Sequence, residues 1–116
     1  MIELVKRGEI YLTNLNPYQG SEQGGVRPVI IIQNDIGNFY SHTTIIIPVT
    51  NYMNHKKSLP THVILPENIL SYKSVALCEQ LRVIDKNRLI RYIGKLDGKI
   101  LREIKSAINI SLGMTV

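Results

Sequence analysis

Gly20-Ser21-Glu22-Gln23-Gly24-Gly25-Val26-Arg27-Pro28-Val29-Ile30-Ile31-Ile32-Gln33-Asn34-Asp35 is the segment around which the rest of the chain falls into order. A polar, glycine-bearing loop ends on one arginine, a proline follows, and an unbroken apolar run begins. β-Branched residues in a short run bounded by turn residues predict a buried strand over Pro28 to Gln33. Paired Gly24 and Gly25 admit positive φ and let another group approach the backbone closely. Pro28 biases Arg27 toward extended geometry and suits a first strand residue, where no ladder donor is required. A permanent cation therefore stands where a flexible loop becomes a rigid strand, and its planar fork is suited to a phosphate.

Outward from this segment, short strands recur. Glu9 to Leu15 alternates, with Ile10 and Leu12 on one face and Tyr11 and Thr13 on the other. Thr43 to Val49 and Thr61 to Leu65 are further strands, and Pro66 to Leu70 predicts one helical turn with proline at its start. Ser74 to Ile84 is expected as one long strand. Asp85-Lys86-Asn87 then turns, and Leu89 to Leu96 returns as a strand or as a short helix plus strand. The last segment changes period: Ile100, Leu101, Ile104, Ala107, Ile108 and Leu112 recur at helical spacing between a capping Asp97 and a terminating Gly113. Its apolar stripe needs a partner, most simply the open side of the sheet. The expected fold is mainly β with a C-terminal α-helix, a small, strongly bent antiparallel barrel.

A chain of 116 residues predicts a single domain spanning 1–116. One cysteine, Cys78, excludes an intrachain disulfide and a multi-cysteine zinc site, and reads as a small buried hydrophobe. Met1 to Arg7 meets charge too soon for a signal peptide, and no apolar run reaches membrane-spanning length. A cytoplasmic protein is the expectation. No carboxylate cluster suggests a metal, and no Gly-Lys-Ser/Thr follows the glycine loop, so no cofactor is expected. The net charge of +5 suits a polyanionic partner. Tyr18, Tyr40 and Tyr52 fall in expected loops, where a ring either packs locally or stacks on an unpaired base.

Lys6-Arg7-Gly8-Glu9-Ile10-Tyr11, Asn16-Pro17, the arginine loop, Ile45-Ile46-Ile47-Pro48-Val49-Thr50, Leu59-Pro60-Thr61-His62-Val63 and Leu77-Cys78-Glu79-Gln80-Leu81-Arg82-Val83-Ile84-Asp85 follow one another along nearly the whole chain. Their order and spacing resemble the MazF/PemK family of toxin endoribonucleases. The resemblance implies an SH3-like barrel with a C-terminal helix, acting as a homodimer. It implies metal-independent, sequence-specific cleavage of single-stranded RNA by 2′-hydroxyl attack, and restraint by a MazE-like antitoxin with an acidic C-terminal segment. It also implies roles: Arg27 as the central catalytic residue clamping the phosphate, and Thr50 donating to a non-bridging oxygen. A non-catalytic toxin of the same fold, binding a protein target such as a topoisomerase, is the alternative; the Arg27–Thr50 pair favours the nuclease.

Around that pair stand the candidate RNA contacts. Ser21, Glu22 and Gln23 share the arginine loop, and Glu22 is the better candidate base on pKa grounds unless it is simply an exposed loop carboxylate. Gln33, Asn34 and Gln80 carry the donors and acceptors that read base edges. Lys56 and Lys57, in a polar loop from Asn51 to Pro60, would attract phosphates without regard to sequence. His42, His55 and His62 show no spacing that pairs two of them for catalysis.

Overall fold

The computed structural model describes residues 4–54 and 59–114. Seven strands form: β1 (Glu9–Asn14), β2 (Val26–Ile31), β3 (Thr43–Asn51), β4 (His62–Leu65), β5 (Ser74–Leu77), β6 (Arg82–Asp85) and β7 (Leu89–Lys95). The helices are α1 (Asp35–Tyr40), α2 (Glu67–Leu70) and α3 (Gly98–Ser111). All pairings are antiparallel, in the order β4-β5-β3-β2-β1-β7, with β6 also pairing β3.

The apolar run of β2 explains the layering. Val29, Ile30 and Ile31 are all 0% exposed, so both faces of the strand are covered. Ile30 joins Ile10, Ile47 and Val49 under α3, whose Ile104 and Ala107 are buried against them. Val29 and Ile31 face the other way, toward Tyr11, Leu15, Ile46, Ile84 and Leu89, inside the curl of the sheet itself. Helix α3 starts where Asp97 accepts a 2.9 Å bond from the Ile100 N–H, and stops at Gly113, whose φ of 68° few other residues adopt readily. The expected cap, stripe and stop are all present.

Three elements differ from the sequence reading. The barrel is a bent sheet rather than a closed one: among the described residues β6 and β7 do not pair, and a 3-10 turn, Lys86–Arg88, joins them. The long strand expected over Ser74 to Ile84 is broken by a 3-10 turn at Cys78–Gln80. Its two halves run along the same edge of β3, but Val49 faces Ala76 whereas Ile46, three residues earlier, faces Arg82, six residues later. The extra residues form the 3-10 turn, whose Cys78 is fully buried in the core beneath α3.

Helix α1 is the third difference. Asn34 caps it by accepting from the Gly37 N–H at 2.8 Å, and the Asp35 carboxylate accepts from the Arg7 N–H at 2.7 Å. Asn38 is buried and fully engaged: its Oδ1 accepts from Thr44 and Gln33, its Nδ2 donates to the Gln33 carbonyl, and its own carbonyl accepts from the buried Lys86 ammonium. Short-range apolar periodicity is absent from a six-residue helix held by polar bonds, which is why hydropathy alone passes over it.

Candidate active site

The loop joining β1 to β2 is built by its own side chains. Leu15 N–H bonds the Gly25 carbonyl at 2.9 Å, and Gly25 N–H bonds Asn16 Oδ1 at 2.9 Å, with Gly25 at a φ of 80°. Glu22 closes an inner turn, its carboxylate accepting from Gln19 N–H at 2.8 Å while its N–H bonds the Gln19 carbonyl. Gly24 serves close approach: a Cβ there would lie 1.8 Å from the Tyr18 ring. Tyr18 is thus a packing residue of the loop on which the arginine depends.

Arg27 is half-buried at the start of β2. Its Nε donates to the Gly24 carbonyl at 2.8 Å and its Nη1 to Gln23 Oε1 at 2.6 Å. Among the described residues Nη2 has no partner and no carboxylate pairs with the guanidinium. The side chain is held along one side and leaves donors for a ligand.

Register brings in the second residue. β1 sets Thr13 opposite Arg27, and β2 pairs Val29 with Pro48. Continued two residues outward, that register sets Arg27 opposite Thr50, on the face that also carries Val29, Ile31, Pro48 and Ile46. Thr50 itself pairs with Val75 of β5, is half-buried, and among the described residues its hydroxyl has no partner.

A groove of about 580 Å³ opens beside this face. Leu15, Pro48 and Leu81 give it apolar lining; Ser21, Gln23, Gln80 and Arg82 give it donors. The break between β5 and β6 puts Gln80 here, where its Oε1 accepts from the Gln23 N–H at 3.0 Å. A continuous strand would have kept Gln80 in the ladder. Arg82 donates to the Leu15 carbonyl at 3.1 Å. Glu22 and Glu79 also border the groove. Glu79 accepts from Thr61 at 2.8 Å and meets His62 Nε2 at 3.1 Å. Partial burial would raise its carboxyl pKa, but bonds from its own N–H, Thr61 and His62 outweigh that and hold it below the usual range.

The structure thus gathers Ser21, Glu22, Gln23 and Gln80 around one groove, with Arg27 bonded to Gln23 and Thr50 on the adjoining strand. Asn34 lies past the opposite end of β2 as the α1 cap, and Gln33 Nε2 is engaged by Asn38 and the Thr43 carbonyl. Lys56 and Lys57, with His55, lie outside the described residues. His42 is exposed at the start of β3, and His62 bonds Glu79. Tyr40 packs edge-on against Phe39, and Lys73 sits 4.1 Å above the Tyr52 ring. Arg82 is the residue the sequence reading missed. Its spacing from buried Ile84 was the available signal, because residues two apart share a face.

The family model for the PemK-like, MazF-like toxin of type II toxin-antitoxin systems matches residues 6–112. The chain belongs to this family. Endoribonuclease MazF of Staphylococcus saprophyticus is 49% identical over 113 residues, covering 96% of this chain and 93% of that one. The crystal structure of MazF from Deinococcus radiodurans superposes with a TM-score of 0.84 at 26% identity, covering 96% and 98% of the two chains. A mycobacterial endoribonuclease, solved in complex with its cognate antitoxin, shares the fold at a TM-score of 0.80 and 19% identity over 97% and 98%. The bent sheet with its terminal helix is therefore the family fold, and the arginine loop and groove lie within the matched residues.

Proposed function

We propose that this protein is the toxin of a toxin–antitoxin pair, an endoribonuclease that cuts single-stranded RNA and so stops translation. The observation that carries the reading is the Arg27–Thr50 register, set beside a donor-lined groove in a chain of the MazF-like family and 49% identical to a relative named Endoribonuclease MazF. RNA supplies its own nucleophile, the 2′-hydroxyl beside the scissile phosphate. Attack on phosphorus forms a 2′,3′-cyclic phosphate and expels the 5′-oxygen, which leaves as a hydroxyl after taking a proton. The protein must orient that attack and stabilise charge on the phosphoryl oxygens.

Arg27 provides the charge. Its guanidinium, already fixed by Gly24 and Gln23, donates to the non-bridging oxygens without reorganising. Thr50 adds a neutral donor from the facing strand. Ser21, Gln23 and Gln80 take the nucleotides beside the cut, with Lys56 and Lys57 adding attraction to the RNA backbone. Glu22 is the carboxylate nearest in sequence to this machinery and the candidate proton acceptor. Unpaired bases are the target, because side chains do not enter the narrow major groove of duplex RNA.

The working form is a cytoplasmic homodimer. Its antitoxin is MazE-like, with an acidic segment that folds over the basic groove and displaces RNA. Incubation of the purified protein with a mixed-sequence single-stranded RNA in EDTA tests this reading. Fragments ending at a few short motifs, with cyclic phosphate on one side and 5′-hydroxyl on the other, are expected; intact RNA would refute it.

A further inference from the structure

The reverse face of the β2 start carries a second pocket, of about 560 Å³. Val26 and Pro28, which flank Arg27 in β2, both line it, so it lies across the strand from the arginine. Leu12 of β1 pairs with Pro28 on one side and with Arg91 on the other, which brings Arg91 of β7 to the same face. Ser71 and Tyr72 enter from the turn after α2. Ser71 takes a left-handed φ of 59°, and its N–H closes that helix on the Glu67 carbonyl. The helix is pressed onto β7, where a Cβ at Gly94 would lie 2.9 Å from Ile69.

Arg91 is the one charged residue in this lining; it is exposed, and among the described residues no acceptor engages it. Tyr72 beside it is 36% exposed. A free guanidinium next to an aromatic ring suits a phosphate and a stacked base. An acidic side chain would meet the guanidinium but offers no flat face to the ring. The topology leads a nucleic acid there. β2 and β3 are joined through α1 at their other end, so the chain makes no connection between them at this one. A single strand held at Arg27 can continue over the start of β2, past Lys73, whose ammonium lies over the Tyr52 ring. We propose that this pocket is a subsite for the single-stranded RNA flanking the cut, with Arg91 on a backbone phosphate and Tyr72 stacked on a base of any identity. This rests on the ribonuclease reading and extends the substrate onto the far face of the sheet.

A mixed-sequence single-stranded RNA with 2′-O-methyl groups, which block 2′-hydroxyl attack, is titrated against wild type and variants by fluorescence anisotropy at several salt concentrations. Arg91→Gln should weaken binding and lower the slope of log affinity against log salt by about 0.7, the value for one phosphate of a single strand. Tyr72→Ala should cost on the order of tenfold in affinity and leave that slope unchanged. Tyr72→Phe should bind like wild type, because stacking needs the ring and not the hydroxyl. Arg102→Gln, an equal loss of charge on α3 outside the pocket, separates a local contact from general attraction and should keep the wild-type slope. Thermal unfolding checks that each variant folds. Wild-type affinity in folded Arg91→Gln and Tyr72→Ala would overturn the proposal, as would an equal fall in slope for Arg102→Gln. Weakened binding of a polyglutamate peptide by those two variants, with RNA binding unchanged, would also overturn it and give the pocket to an acidic polypeptide. All of these variants keep Arg27, so the proposal can fail while the wild type still cuts RNA; RNA left intact by the wild type refutes the ribonuclease reading instead.

Discussion

The side chains that prepare the site spend most of their hydrogen bonds on one another. Arg27 is fixed by Gly24 and Gln23, Gln23 by Gln80, and Glu79 by Thr61 and His62. Fixed donors cost little reorganisation when charge develops on a phosphate. Inert groups are as informative as active ones. Burial pushes the Cys78 thiol up to about 12, with the Glu79 charge adding to it, so this cysteine is a core residue and not a nucleophile. Asp35 gives a pH dependence. The Arg7 N–H, followed by the Asn38 amide and the Lys6 and Lys95 charges, holds its carboxyl below the usual range against a smaller opposing effect of burial. A depressed folded pKa contributes stability above the unfolded value and loses it as pH falls through the folded one. The melting temperature should therefore fall below about pH 4, the unfolded aspartate range. In Asp35→Asn that acid-side decline should be shallower; a slope equal to wild type would remove Asp35 from the account.

At the level of elements, the sequence reading succeeded where one physical signal dominated. The β2 run, the alternation of β1, and the period of α3 with its Asp97 cap and Gly113 stop each follow from local hydropathy and backbone preference. Replacing Asp97 with alanine should cost about 1 kcal/mol, because the Ile100 N–H loses its acceptor. Chemical denaturation would measure this, and an unchanged midpoint would mean the cap contributes nothing. The reading failed where tertiary demands override local pattern. Ser74 to Ile84 looks like one strand because both halves are apolar, yet curvature along β3 requires extra residues between them. That break lifts Gln80 out of the ladder and into the groove. Gln80 was legible as a candidate; its pairing with Gln23, fifty-seven positions away, was not. Asn34 was legible as polar and near the arginine loop in sequence, but β2 carries it to the far end.

For the whole molecule, the sheet is a scaffold that converges two distant segments. The covered faces of β2 and β3 fix their register, and that register, continued past the last pair, sets Arg27 and Thr50 on one face. No helix of the described residues is long and apolar enough to cross a membrane, and the net charge of +5 draws the fold toward polyanions. Charge alone gives binding; the Arg27 fork is what the account holds responsible for turnover. The most direct measurement is the single-turnover cleavage rate of a single-stranded RNA by wild type and Arg27→Ala, in EDTA, with RNA binding and thermal unfolding followed in parallel. A loss on the order of 10²–10³ in rate, with the fold retained, is predicted. A folded Arg27→Ala protein that cuts RNA as fast as wild type would contradict the central claim.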